Sequence, residues 1–123
     1  MRLLEALEQR GIPMAIVSSS RNAPAVLEAA GMTRFFGEVM HGGVAAERNL
    51  QGKPAPDTFL AAASDLGAGP ERSVVLEDAI SGVQAGAAGR FGLVVGVDRG
   101  AGVEALTEAG ADVVVADLAE LLP

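Results

Sequence analysis

Residues 74–97 read VVLEDAISGVQAGAAGRFGLVVGV, and the order of properties along that stretch decides the fold class. Three apolar residues, Val74, Val75 and Leu76, run directly into two carboxylates, Glu77 and Asp78. The Gly- and Ala-rich residues that follow predict a helix over 81–88, and a second apolar run predicts a strand over 93–97. Strands this short and this uniformly apolar are the kind buried on both faces. Their alternation with helices indicates a parallel sheet with helices on both faces. The many Ala and Gly on the helices allow close packing of helix on sheet.

The same alternation extends in both directions. Downstream, the pattern predicts a helix over 103–109, a strand over 113–115 and a short helix over 118–122. Upstream, Leu3, Leu4 and Leu7 have helical spacing, with Gly11 as a stop, and residues 14–17 form a short apolar strand. Asn22 is placed to cap a helix over 23–30, with Pro24 tolerated in its first turn and Gly31 ending it. A weak strand is expected over 38–40. Residues 41–56 contain three Gly and two Pro and read as a loop. Asp57 then caps a helix ending near Gly67. No linker and no repeat of fixed period interrupts this order, so residues 1–123 read as one domain.

Composition narrows the function classes. A hydrophobic content of 50% is enough for a core, and with four Phe and no Tyr or Trp that core is aliphatic. The 9 basic and 16 acidic residues give a net charge of −7, which repels nucleic-acid backbones and anionic lipid. Neither nucleic acid nor a membrane is therefore an expected partner, and an anionic substrate must be captured by a local cluster of donors. The lack of Cys removes disulfides, thiolate nucleophiles and Cys-ligated zinc. With no apolar stretch long enough for a signal peptide or a membrane span, the expectation is a soluble, cytoplasmic protein.

In open parallel α/β sheets, ligands bind beyond the carboxyl ends of the strands. After Val17 come Ser18, Ser19, Ser20, Arg21 and Asn22; the long loop offers Lys53 before Pro54; after Leu76 come Glu77 and Asp78. Hydroxyls, an ammonium and paired carboxylates at one sheet edge are what phosphoryl transfer requires. Carboxylates hold Mg²⁺ through hard oxygen ligands, the metal and Lys neutralise the transferred group, and hydroxyl and backbone donors bind its oxygens. Each element also has an ordinary reading: a Ser run as a helix cap, a Lys before Pro as a solvated loop residue, Glu-Asp as an acidic turn. His41 reads as a solvated loop residue, Gly96 to Gly100 either as part of the site's rim or as a plain turn after a strand, and the four Met as packing residues. The three motifs in this order outweigh their separate ordinary readings.

That order resembles the haloacid dehalogenase-like superfamily, specifically its β-phosphoglucomutase-like branch. The family's second motif, an apolar strand ending in Ser or Thr, is matched by Ala15-Ile16-Val17-Ser18. The third, Lys in a Lys-Pro-x-Pro-Asp context, is matched by Lys53-Pro54-Ala55-Pro56-Asp57, and the fourth by Val74 to Asp78 followed by Ala79-Ile80-Ser81-Gly82. The resemblance implies a Rossmann-like doubly wound parallel sheet and a Mg²⁺-dependent phosphatase or phosphomutase acting on a small phosphorylated metabolite such as a sugar phosphate. By position it implies that Ser18 binds the transferring phosphoryl group and Lys53 bridges it to the nucleophile. It implies that Glu77 and Asp78 ligate Mg²⁺, and that Ser20, Arg21 and Asn22 hold a second, non-transferring phosphate of the substrate.

The family's first motif, Asp-x-Asp, carries the nucleophile and the general acid/base, and these residues lack it. The six Asp (Asp57, Asp65, Asp78, Asp98, Asp112 and Asp117) include no pair two apart. The resemblance thus covers the C-terminal portion of the family's core, without its helical cap or the central first strand. That strand would lie between those matched by 14–17 and 74–76. For lack of the nucleophile the chain alone is expected to be inactive. The missing strand leaves two apolar edges that stay unpaired or pair with each other, which predicts a chain that is marginally stable, oligomeric or dependent on a complementing N-terminal segment. Two alternatives remain from the sequence: a non-catalytic remnant binding phosphate or Mg²⁺ weakly, and a receiver-like signalling domain, which needs an acidic pair after its first strand and an Asp after its third.

Overall fold

The structure, a computed structural model, describes residues 2–18, 23–40 and 42–122. The elements are α1 (Arg2–Gln9), β1 (Ala15–Val17), α2 (Ala23–Ala29), β2 (Glu38–Met40), α3 (Gly42–Glu47), α4 (Asp57–Asp65), β3 (Val74–Glu77), α5 (Ile80–Ala88), β4 (Leu93–Val97), α6 (Val103–Ala109) and β5 (Val113–Val115). Single 3₁₀ turns lie at Thr33–Phe35, Pro70–Arg72 and Leu118–Leu121. Gly11 and Gly31, expected to stop α1 and α2, do so with φ of 69° and 70°, a left-handed conformation that favours glycine. Among the described residues no helix is long and apolar enough to cross a membrane.

Every strand pairing is parallel, but the strands form two sheets. β1 pairs with β2, placing Ala15 opposite Glu38, and β3, β4 and β5 form a second sheet in that order. Of the two expected outcomes for the inner edges, pairing with each other or staying open, the structure shows the open one: β1 and β3 are not hydrogen-bonded to one another. On β3, Val74 and Leu76 are 58% and 38% exposed.

β4 is the centre of the larger sheet, and its uninterrupted apolar sequence reflects burial on both faces. Val94 packs with Val83, Leu106 and Ala111 on one side, while Val95 and Val97 pack with Val115, Leu118 and Leu121 on the other. Small residues let the helices approach. A β-carbon at Gly86 on α5 would lie 3.1 Å from Val94 and 3.3 Å from Val75, and one at Gly96 would lie 3.3 Å from both Ala111 and Leu106. A second cluster, Phe59 of α4 with Val75 and Ala85, also takes in Val17 of β1. Apolar packing on α4 therefore spans both sheets.

Three expectations are corrected. Residues 41–56 are not loop throughout, because α3 occupies Gly42–Glu47. Their glycines and prolines flank its helix-forming Val44, Ala45, Ala46 and Glu47 rather than interrupting them, and Arg48 and Leu50 N–H groups close onto the Val44 and Ala45 carbonyls. Asp57 does not cap α4. Pro56 is already helical at φ −81° and ψ −2°, so it takes the cap position, and Asp57 Oδ2 instead accepts from Gln51 N at 3.1 Å. The expected helix over 118–122 is the 3₁₀ turn Leu118–Leu121, held by Asp117 and Glu120 in a reciprocal capping box.

Leu106, fully buried between α5, α6 and β4, should be the costliest core truncation. Leu106→Ala is expected to lower stability by about 2–5 kcal/mol, read from the urea midpoint. A second expectation concerns acid. Arg48 Nη1 donates to Asp65 Oδ2 at 2.7 Å, and this hydrogen bond, ahead of burial, holds the Asp65 carboxyl below its ordinary range. A depressed folded-state pKa contributes stability above the ordinary value of 3.8 and loses it as pH falls through the folded value. Asp65→Asn should therefore destabilise at neutral pH and converge on the parent as the solution is acidified, read from urea midpoints across that window.

Candidate active site

The carboxyl ends of β1 and β3 meet at one side chain. Lys53 lies in the turn between α3 and α4, joined to Pro54 by a cis peptide bond. Its Nζ donates to the Val17 carbonyl at 3.2 Å and to Glu77 Oε2 at 2.8 Å. The same ammonium stands 5.0 Å from the centre of the Phe59 ring, within range of a cation–π attraction. The Lys53 and Glu77 side chains are only 20% and 12% exposed, so solvent screens their pairing less than it screens a surface ion pair.

Glu77, the last residue of β3, is fully engaged. Its Oε1 accepts from the N–H groups of Asp78 and Ala79 at 3.1 and 3.3 Å, and its Oε2 accepts from Lys53. Asp78 is exposed, and its carboxylate has no partner among the described side chains. Ser18 follows β1 directly, and its N–H donates to the Met40 carbonyl at 2.8 Å, extending the β1–β2 ladder by one residue. The structure therefore gathers Lys53, Glu77 and the Val17–Ser18 strand end, with Asp78 beside them. Ser20, Arg21 and Asn22, together with Ser19 and His41, lie outside the described residues.

Among the described residues no group of three or more His, Cys, Asp or Glu is placed to hold a metal. Glu77 and Asp78 are hard oxygen donors of the type Mg²⁺ takes, and Mg²⁺ is commonly held by one or two carboxylates with water and phosphate completing its shell. The residues present fit Mg²⁺ in kind, with Asp78 the freer donor. After β4, Asp98 Oδ1 accepts from the Gly100 and Gly102 N–H groups, each at 3.1 Å, which closes a turn.

Phe59 has no role in the sequence reading, and Gly82 enters it only as part of the fourth motif, with no contact assigned to it. Phe59, six residues after Lys53, supports the ammonium and joins the two sheets. Gly82 lies against Glu77. An aromatic residue in the first turn after Lys-Pro-x-Pro-Asp is a signal that could have flagged Phe59. The Lys53–Glu77 pairing, across 24 residues of chain, has no local signal. Removing the ammonium leaves Glu77 with backbone partners only, so Lys53→Met should destabilise by about 1.5–3 kcal/mol, the range for a hydrogen bond to a charged group, read from urea unfolding.

The chain is similar to known proteins over nearly its whole length. Residues 1–90 match the family model of the haloacid dehalogenase-like hydrolases. A β-phosphoglucomutase of Mycobacterium bovis is 50% identical over 124 residues, spanning 98% of this chain and 47% of that protein. Among solved structures, a haloacid dehalogenase family hydrolase of Deinococcus radiodurans with bound phosphate and sodium superposes with a TM-score of 0.84 at 36% identity, covering 98% of this chain and 54% of the other. The β-phosphoglucomutase of Clostridium difficile superposes with a TM-score of 0.83 at 29% identity, covering 99% and 50%. The chain thus spans about half the length of the relatives it matches. Family match, identity and the superposed parallel sheets agree, and the chain belongs to the haloacid dehalogenase-like hydrolases, where it is β-phosphoglucomutase-like.

Proposed function

We propose that this chain supplies the phosphate- and metal-handling part of a Mg²⁺-dependent phosphoryl-transfer site, of a phosphatase or phosphomutase, acting on a small phosphorylated metabolite, a sugar phosphate. The observation that carries the reading is the convergence of Lys53, the Glu77-Asp78 carboxylates and the Val17–Ser18 strand end from three separate segments. Half-identity to a β-phosphoglucomutase supports the sugar phosphate.

In this reading Lys53 neutralises charge on the transferring phosphoryl group, and Ser18 binds its oxygens by hydrogen bonding. Asp78, with Glu77 beside it, would hold Mg²⁺, which supplies further charge neutralisation at the same oxygens. Ser20, Arg21 and Asn22 hold the substrate's other phosphate, Arg21 by a forked charge-assisted contact. The nucleophile comes from an extended Asp-x-Asp segment lying between β1 and β3. Each of these strands is paired on its far side only, and both bring their carboxyl ends to Lys53. Without that segment the 123 residues do not turn over substrate, and their open apolar edges favour self-association.

The test is hydrolysis of p-nitrophenyl phosphate and hexose phosphates with Mg²⁺, by this chain alone and with an added family segment bearing Asp-x-Asp. Turnover is expected only in the mixture, lost in Asp78→Ala, with the elution of the chain shifting to a one-to-one complex. Mg²⁺-dependent turnover by the chain alone, abolished in Asp78→Ala, would show that another nucleophile operates.

A further inference from the structure

Gly82 sits in the first turn of α5, buried, at the end of β3. Its φ is not among the positive ones, so the backbone there makes no demand for glycine, and glycine is a poor helix former. Space is what excludes a side chain. A β-carbon on Gly82 would fall on Cγ, Cδ and Oε2 of Glu77. The hollow left by the missing side chain is thus filled by the Glu77 carboxylate, the one that holds Lys53 at 2.8 Å. Gly86, one turn further along α5, differs: its neighbours are Val94 and Val75, ordinary core packing.

We propose that Gly82 is a positioning residue for Lys53. The hollow at Gly82 seats the Glu77 side chain so that its Oε2 reaches the ammonium, and Glu77 in turn holds that ammonium between the ends of β1 and β3. The atoms a new methyl would meet belong to a flexible side chain and not to backbone. The substitution is therefore accommodated by moving Glu77, with α5 left in place. The catalytic importance of this control rests on the reading of Lys53 given above, whereas the geometric link does not.

Lys53 is the only lysine in the 123 residues, so an amine-reactive acylating reagent modifies it and the N-terminal amine alone, and peptide mass separates the two. With the folded chain, Gly82→Ala should raise the Lys53 labelling rate severalfold, to that of Glu77→Gln, and should add nothing in the Gly82→Ala/Glu77→Gln double variant. Gly86→Ala should lower the urea midpoint while leaving the Lys53 rate unchanged. An unchanged rate in Gly82→Ala, an equal rise in Gly86→Ala, additivity in the double variant, or failure of Gly82→Ala to fold would each overturn the proposal. Labelling requires no turnover, so its outcome is independent of whether the chain takes part in phosphoryl transfer.

Discussion

The ammonium of Lys53 is the group on which the relation between the two sheets depends. No backbone hydrogen bond joins β1 to β3, yet the last carbonyl of one and the terminal carboxylate of the other accept from the same nitrogen. A partly buried ammonium must be compensated, and a single neutral carbonyl does not suffice. Glu77 supplies the opposite charge where screening is weak. Phe59 lies near the same ammonium and also belongs to the apolar cluster that joins Val75 and Ala85 to Val17. The polar and the apolar bridge thus share one place, and a shift of α4 would move both.

Much of this fold was legible because its strands are buried on both faces. The boundaries read from the sequence for β4, α6 and β5 coincide with the observed ones: the two strands are short apolar runs preceded by Gly92 and Asp112, and α6 lies between Gly102 and Gly110. Residues 41–56 were misread for the opposite reason. Counting Gly and Pro across a window ignores where they fall: Gly42 and Gly43 begin α3, and Gly52, Pro54 and Pro56 all come after it. Asp57 illustrates a second limit: a residue suited to capping was used to fasten Gln51, because Pro56 had already taken helical dihedrals.

The site was legible as residue types at strand ends and illegible as contacts. A β-strand followed by a turn delivers its next residues to the carboxyl edge of a parallel sheet, so Ser18, Glu77 and Asp78 could be placed from the order of elements alone. That Glu77 would turn back to bind Lys53 follows from no local rule. It requires the turn before α4, the end of β3 and the hollow at Gly82 to coincide in space. Glycine in a regular helix, at a position with ordinary dihedrals, is the kind of residue whose reason lies wholly in its tertiary neighbours.

Charge at the carboxyl edge completes the physical picture. One ammonium, already paired with Glu77, stands beside the carboxylate of Asp78, which has no partner among the described side chains, in a chain whose net charge is −7. These described groups together carry an excess of negative charge, and a phosphate entering among them would meet repulsion from Asp78 as well as attraction from Lys53. A divalent cation held by the carboxylates reverses that balance. The proposed dependence on Mg²⁺ is therefore a requirement of the local charge count as much as of the chemistry. It is also why the placement of a single lysine, fixed by one carboxylate and one glycine, bears so heavily on what this edge of the sheet can bind.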